Sequence, residues 1–147
     1  MRGRWIWGLV LAAYAAVLIR LLVFKDLMFR IGHLRFRIAA RGGDHNYVPF
    51  RTIWSYLRGD HRRLIGLVNL VGNIALFVPV GLMAPLLIPG LRWRGAMVLA
   101  LVSGLTIEGL QAMLQVGEFD VDDVILNGLG VVIGFGVHAL FARRRAV

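Results

Sequence analysis

The chain has 147 residues, of which 59% are hydrophobic, well above the share of about 45–50% that is typical of soluble domains. It has no cysteine, which excludes disulfide frameworks, thiolate metal sites and cysteine nucleophiles. Its formal net charge of +9 is distributed between apolar runs, which favours anionic lipid head groups as partners and argues against nucleic acid.

Four apolar segments, at residues 5–24, 64–88, 95–116 and 124–142, are predicted to be transmembrane helices. Each meets or approaches the length of about 20 residues that is needed to span the hydrocarbon core. Backbone groups in lipid must be paired internally, and the chain lacks the alternating pattern of a membrane β-barrel. We therefore expect an all-α, polytopic membrane protein in which residues 1–147 form one domain, a bundle of four transmembrane helices.

The first loop, residues 25–63, contains the sequence HNYVPFRTIWSY at residues 45–56. Pro49 favours extended backbone before it, and apolar residues follow it at helical spacing. This pattern predicts a short amphipathic helix at the membrane interface. The helix would serve either as a membrane anchor or as a lid that carries Arg51 or Arg58 to an anionic head group.

The polar residues of the apolar segments lie in one half of the membrane. In a chain with four spans, the first loop and the 117–123 loop are on the same side, and all these residues lie nearer to that side than to the other. Within a segment these polar residues recur at steps of three or four positions, so they form one stripe along that helix. We therefore expect the stripes to enclose a polar pocket that is open to one surface. The residues are Asn69, Asn73, Glu108, Gln111 and Asn127.

An acidic run, EFDVDD at residues 118–123, precedes the fourth apolar segment. Carboxylates are favoured at a helix start, by the free N–H groups and by the positive end of the helix dipole. One cap needs one side chain, and clustered like charges repel. Some of these carboxylates should therefore bind arginines of the first loop, a metal ion or a ligand.

Glu108 lies inside the third apolar segment, where a carboxyl group is costly. Insertion scales assign about 2.5–3.5 kcal/mol to an aspartate at such a depth. Residues of this kind usually face a cavity or a partner, so Glu108 is a candidate functional group. The alternative is a hydrogen bond that joins two helices.

Three ordered blocks resemble the VanZ-like family of small bacterial membrane proteins, and together they cover residues 45–136. They are NYVPFRTI at 46–53, NLVGNIALFVPVGLMAPLL at 69–87 and IEGLQAMLQVGEFDVDDVILNGLGVVIGF at 107–135. Gly117-Glu118 departs from the Gly-Arg that the family commonly has before its aspartate-rich turn. The family motif positions are matched by Asn46, Pro49, Asn69, Asn73, Phe77, Pro79, Gly81, Glu108, Gln111, Asp120, Asp122, Asp123, Asn127 and Gly130.

The resemblance implies a process, because the family is linked to reduced sensitivity to glycopeptide antibiotics such as teicoplanin, but it implies no settled reaction. It also implies a multi-pass protein of the bacterial cytoplasmic membrane. The arginines at both ends of the chain favour cytoplasmic termini, whereas the basic first loop argues for the reverse orientation. We expect the termini in the cytoplasm.

Three functions remain open. The first is binding of an anionic lipid or cell-wall precursor head group. Its expected ligand-binding residues are Asn46, Arg51, Arg58, Asn69, Asn73, Gln111, Asp120 and Asn127. The second is an intramembrane enzyme, with Glu108 as general acid or base and with Asp122 and Asp123 holding Mg²⁺ or Ca²⁺. The third is a small transporter with a pathway through Glu108, or an accessory subunit that forms a stable complex with a protein partner or a second copy through its glycine faces. Gly130 and Gly134 form a small-xxx-small pair that lets a neighbouring helix come close.

Overall fold

A computed structural model describes residues 4–23, 45–58, 63–114 and 117–144. Within these ranges the structure is helical apart from turns and one isolated bridge, which confirms the all-α prediction. The helices are α1 (Arg4–Val23), α2 (Arg51–Arg58), α3 (Arg63–Leu87), α4 (Trp93–Met113) and α5 (Val121–Arg144).

The four long helices α1, α3, α4 and α5 are each long and apolar enough to cross a membrane. Their bounds lie close to the predicted ones, and the largest shift at a helix start is in α5. This helix begins at Val121 rather than at 124, because the Asp120 side chain accepts the backbone N–H of Asp122 at 2.8 Å and so caps the helix earlier. The predicted end of the third span, at 116, falls outside the described residues, and α4 ends at Met113.

Close backbone contact between α3 and α5 depends on glycine. A Cβ atom placed on Gly130 would lie 2.2 Å from the Ile74 carbonyl oxygen, and one placed on Gly134 would lie 2.0 Å from that of Val78. Only glycine permits such an approach, so Gly130 and Gly134 allow α3 and α5 to pack backbone to backbone. Since α3 occupies this face, a partner chain would have to use another surface of the bundle.

The same contacts give the directions of the helices. Gly130 meets Ile74 and Gly134 meets Val78, so α5 runs parallel to α3. Gly128 meets Ala100, whereas a Cβ on Gly104 would meet Val124, so α4 runs antiparallel to α5. The start of α3, the end of α4 and the start of α5 therefore share one end of the bundle, which we call the acidic end.

The apolar core lies between α3, α4 and α5, where Phe77, Ala100, Ile107 and Val131 pack together. Helix α1 packs on the outside of this group and is joined to it by polar contacts as well as by apolar ones. The Tyr14 hydroxyl donates to the Leu76 carbonyl oxygen at 2.7 Å. The helices α3, α4 and α5 therefore form the core, and α1 covers it from outside.

Candidate functional site

At the acidic end, the extended segment before α2 lies beside the acidic turn before α5. The Asn46 N–H donates to the Phe119 carbonyl at 2.8 Å, and the Val121 N–H donates to the Asn46 carbonyl at 3.0 Å, forming a short parallel bridge. The Tyr47 ring stacks on Phe119 with a centroid distance of 5.6 Å. The first loop is therefore bound to the start of the last span.

The segment enters α2 through a turn at Val48–Arg51, in which the Arg51 N–H faces the Val48 carbonyl at 3.4 Å. Pro49 occupies the second position of the turn, and Phe50 occupies the third with φ of 67°. Turns with proline second and a positive φ third usually place glycine there, because a side chain strains the backbone. Phe50 is thus held in an unfavourable conformation by its surroundings.

Asp122 caps α2 from a different helix. Its side chain is fully buried. Its carboxylate accepts the backbone N–H of Phe50, that of Thr52 at 2.7 Å and that of Ile53 at 3.1 Å. These are N–H groups that the first turn of a helix leaves without an internal partner, and they lie at the positive end of the helix dipole. Asp122 therefore supplies the cap that α2 lacks in its own sequence.

Asp120 accepts hydrogen bonds both from the start of α5 and from the segment that contains Asn46 and Thr52. Its Oδ1 accepts the Asp122 N–H and the Asn46 Nδ2 at 2.9 Å, and its Oδ2 accepts the Thr52 hydroxyl at 2.6 Å. The Asn46 amide also donates to the Thr52 hydroxyl oxygen at 3.1 Å. The prediction that an aspartate of the acidic run caps the last helix is confirmed. We call Asp120 and Asp122, together with Asn46–Ile53, the carboxylate latch.

Glu108 lies directly beneath the latch and is 2% exposed. Its Oε2 accepts the backbone N–H of Asp120 at 3.0 Å. The structure therefore brings Glu108 to the acidic turn, on the side expected from its position in the span. This contact holds the turn in place, and the catalytic role of Glu108 stays a prediction.

A second cluster of polar side chains lies around Asp123, and its members come from α2 and α3. The Asn73 Nδ2 donates to Asp123 Oδ1 at 2.7 Å. Burial raises the pKa of the nearby Tyr56 phenol, the charges of Asp123 and Asp120 raise it further, and a hydrogen bond with Asn69 lowers it. Tyr56 also packs on Gly66, where an added Cβ would lie 2.6 Å from the tyrosine Cβ.

Thr52 and Tyr56 were missed by the sequence analysis, although both belong to the site. They follow each other at i and i+4 in α2, and both are partly buried against the bundle. This spacing was the available signal, because it places them on one face. The sequence prediction considered only the apolar residues of α2. Thr52 and Tyr56 lie on a different face, where the hydroxyl and the phenol form hydrogen bonds with the bundle.

Gln111 and Asn127, two of the predicted ligand-binding amides, differ from the others in their hydrogen bonding. The Gln111 Nε2 donates to the Leu22 carbonyl at 2.9 Å, which places its amide at the contact with α1. Asn127 is 1% exposed, and its Oδ1 has no hydrogen-bond partner among the described residues. One amide is thus committed to helix packing, and the other retains an unused buried acceptor.

The two arginines of α2 lie on its outer surface. Arg51 and Arg58 are exposed, and the Arg58 guanidinium lies 4.5 Å from the centre of the Trp54 ring. Trp54 is 53% exposed and Phe50 is 61% exposed. Helix α2 therefore presents cations and aromatic rings outward while its other face is bound to the bundle.

The predicted divalent-cation site fits poorly at Asp122. Both of its oxygens accept backbone N–H groups, whose positive ends stand where a cation would need to bind. Across the ranges that the structure describes, no group of three or more histidine, aspartate or glutamate side chains could hold a metal ion. Mg²⁺ or Ca²⁺ binding by Asp122 and Asp123 stays a prediction, and we derive no step through such an ion.

A family model and one curated relative match most of this chain. The family model described as VanZ/LLP1 matches residues 11–142. The chain is also 27% identical over 135 residues to Protein VanZ of Enterococcus faecium, an alignment that covers 89% of this chain and 72% of that protein. No solved structure gives a significant match. With four apolar helices long enough to cross a membrane and a family match over most of its length, the chain is a multi-pass membrane protein that belongs to the VanZ/LLP1 family.

Proposed function

We propose that this protein binds the anionic head group of a membrane lipid or of a lipid-linked cell-wall precursor at the acidic end of its bundle. The observation that carries the proposal is the fixed position of α2. Asp122 holds its first turn at the start of α5, and residues 59–62 alone separate it from α3. A short helix held where two spans begin is suited to lie in the head-group layer of the membrane.

The charges of the site favour an anionic ligand on the outer face of α2. The carboxylates of Asp120 and Asp122 are each bound to three donors of the protein itself. Arg51 and Arg58, in contrast, are exposed. A guanidinium presents several donors in a planar fork that matches phosphate oxygens, and each basic residue near an anionic membrane surface contributes about 1 kcal/mol.

The aromatic residues of the same surface support this placement. Trp54 and Tyr47 are exposed at the acidic end, and rings with one polar atom are typical of the interface between lipid and water. The contact between Arg58 and the Trp54 ring holds the cation beside the aromatic anchor. In this arrangement Asn46 and Asp120 support the site by fixing the loop, whereas Arg51 and Arg58 contact the ligand.

The proposal includes the bacterial cytoplasmic membrane as the location and cytoplasmic termini as the orientation. The parallel course of α3 and α5 then places the acidic end and α2 at the external surface. Binding of an envelope lipid there fits the link to glycopeptide antibiotics that the family resemblance implies. It also places the basic surface of α2 against the external leaflet.

The test is native mass spectrometry of the purified protein in mild detergent, with phosphatidylglycerol, phosphatidylcholine and undecaprenyl phosphate as probes. We expect the two anionic lipids to be retained over phosphatidylcholine. Replacing Arg51 and Arg58 together by Gln should lower their retention about tenfold or more, since two contacts of about 1 kcal/mol each are lost.

The matched control replaces Arg92 and Arg94 by Gln, because these arginines are exposed at the other end of the bundle. Equal losses in the two double variants would show only general charge attraction and would contradict the proposal. A chemically altered lipid in the spectrum that disappears with Glu108→Gln would instead favour the enzyme.

A further inference from the structure

A histidine ring takes part in the pairing between the first loop and the acidic turn. The Nδ1 atom of His45 accepts the backbone N–H of Phe119 at 3.1 Å. A ring nitrogen that accepts a hydrogen bond carries no proton, so the imidazole is neutral and holds its proton on Nε2. This contact therefore forms only in the uncharged state of the ring.

The hydrogen bond of His45 extends the backbone pairing of the same segment. The Phe119 carbonyl accepts the Asn46 N–H at 2.8 Å, and the Asn46 carbonyl accepts the Val121 N–H at 3.0 Å. Phe119 is thus bound through both its N–H and its carbonyl to consecutive residues of the first loop. Of these three bonds, only that of His45 involves a titratable group.

The His45 ring lies at the surface, where protons from water reach it. His45 is exposed, and its ring centroid lies 5.9 Å from that of Tyr47, which itself stacks on Phe119. Histidine is the side chain whose charge ordinarily changes between about pH 5 and 8. Protonation of this ring therefore requires no unfolding of the bundle.

A proton on Nδ1 reverses what the ring offers to Phe119. The imidazolium carries an N–H on both nitrogens, so Nδ1 becomes a donor that faces the donor N–H of Phe119. The hydrogen bond is then lost, and the two positive ends repel each other. The charged ring must turn away from the Phe119 backbone.

Acidic groups near the contact favour the turned ring once it is charged. The titratable neighbours of His45 and of the turn that it meets are Asp44, which lies outside the described residues, Tyr47, Glu108, Glu118 and Asp120. Carboxylate oxygens accept hydrogen bonds from an imidazolium, whereas the Phe119 N–H repels it. The protonated ring is therefore stabilised in an orientation other than the one that binds Phe119.

We propose that His45 makes the carboxylate latch sensitive to acid. The neutral ring holds the Phe119 N–H and keeps the Asn46 segment paired with the acidic turn, and protonation releases this N–H and loosens the pairing. The bond is complete above the pH range in which histidine titrates and is lost as the pH falls through that range. His45 is a positioning residue that acts on α2 through the segment, so the inference holds or fails independently of head-group binding.

The test is amide hydrogen exchange of the purified protein in detergent, measured by NMR at about pH 8 and about pH 5.5 and expressed as protection factors. Protection of the Phe119 amide should fall about fivefold or more at the lower pH, the loss expected for one hydrogen bond. Protection at Val121 should fall with it, whereas the Ala96 amide, bound to Arg92 at the other end of the bundle, should be unchanged. Constant protection at Phe119, or a loss that leaves Val121 unchanged, would overturn the proposal.

His45→Asn is the matched variant, because its amide oxygen takes the place of Nδ1 as an acceptor and does not titrate. This variant should keep the protection of Phe119 at both pH values, and His45→Leu should lack it at both. An equal acid response in His45→Asn and the wild type would assign the effect to the carboxylates and contradict the role of His45.

The ring nitrogens of the wild type provide a second measurement that needs no variant. Their NMR chemical shifts should show an unprotonated Nδ1 on His45 at about pH 8. A proton on Nδ1 at that pH would also overturn the proposal, because the ring would then have no acceptor for the Phe119 N–H.

Discussion

The carboxylate oxygen Oδ2 of Asp122 lies 2.7 Å from the backbone nitrogen of Thr52, which is 70 positions earlier in the chain. The N-cap of one helix is therefore supplied by the first turn of another. An eight-residue helix is too short to be stable in water by itself. Its presence at the acidic end is thus explained by the carboxylate that binds its free N–H groups.

Replacing Asp122 by Asn should release the first turn of α2. The neutral side chain keeps one acceptor oxygen for three N–H groups, and loss of hydrogen bonds to a charged group costs about 1.5–3 kcal/mol. Hydrogen exchange at Phe50, Thr52 and Ile53 should accelerate at least tenfold. Ser55→Ala, on the exposed side of α2, should leave these rates unchanged. Slow exchange in the Asp122 variant would mean that other contacts hold α2.

The Thr52 hydroxyl should contribute to the stability of the fold independently of the Thr52 backbone N–H. Thr52→Val removes the 2.6 Å hydrogen bond to Asp120 while keeping the shape, which should cost about 1 kcal/mol or more. Thr52→Ser keeps the hydroxyl and should restore most of the loss. Reversible unfolding in mixed detergent micelles measures the difference, and equal stability of the Val and Ser variants would exclude a role for this hydrogen bond.

The backbone contact between α3 and α5 makes a prediction with a matched glycine control. Gly134→Ala places a methyl group 2.0 Å from the Val78 carbonyl oxygen, so the helices must separate and the fold should lose roughly 1–3 kcal/mol or more. Gly72→Ala meets nothing within 4 Å and should be neutral or slightly stabilising, because alanine favours a helix. Thermal unfolding compares the two, and similar midpoints would contradict the close packing.

The raised pKa of Tyr56 predicts a loss of stability in alkali. Because the folded protein holds the phenolic proton more tightly than the unfolded chain, the contribution is complete below the unfolded pKa of about 10. It is lost as pH rises from there through the higher folded pKa. Tyr56→Phe should show a smaller decline over this range. The difference in tyrosinate absorbance between wild type and variant should give a midpoint above about pH 10, and an ordinary or lower midpoint would contradict the burial of the phenol.

The four spans were predictable because length and hydropathy are local properties of the chain. The gathering of Asn73 and Glu108 at the acidic end was also predictable, since helix spacing and the number of crossings decide which half of the membrane a residue occupies. Hydropathy could not give the start of α5, because that depends on the Asp120 side chain accepting a particular N–H group.

The latch could not be predicted from these patterns. Carboxylates in a turn suggest oxygen ligands and so predict a metal ion at Asp122, whereas a one-dimensional pattern does not show which backbone groups approach from a distant loop. The positive φ of Phe50 could not be predicted either, because the sequence rules for such a turn favour glycine at that position. Long-range contacts decide both features.

The latch also has a consequence for how the protein enters the membrane. Thr52 and Asp122 are separated by α3 and α4, so the chain must cross the bilayer twice before the two residues can meet. If either crossing failed during synthesis, the aspartate would be left on the opposite side, and the first turn of α2 would keep bare N–H groups. The hydrogen bond between Thr52 and Asp122 therefore forms in a correctly inserted chain and is absent from a misinserted one.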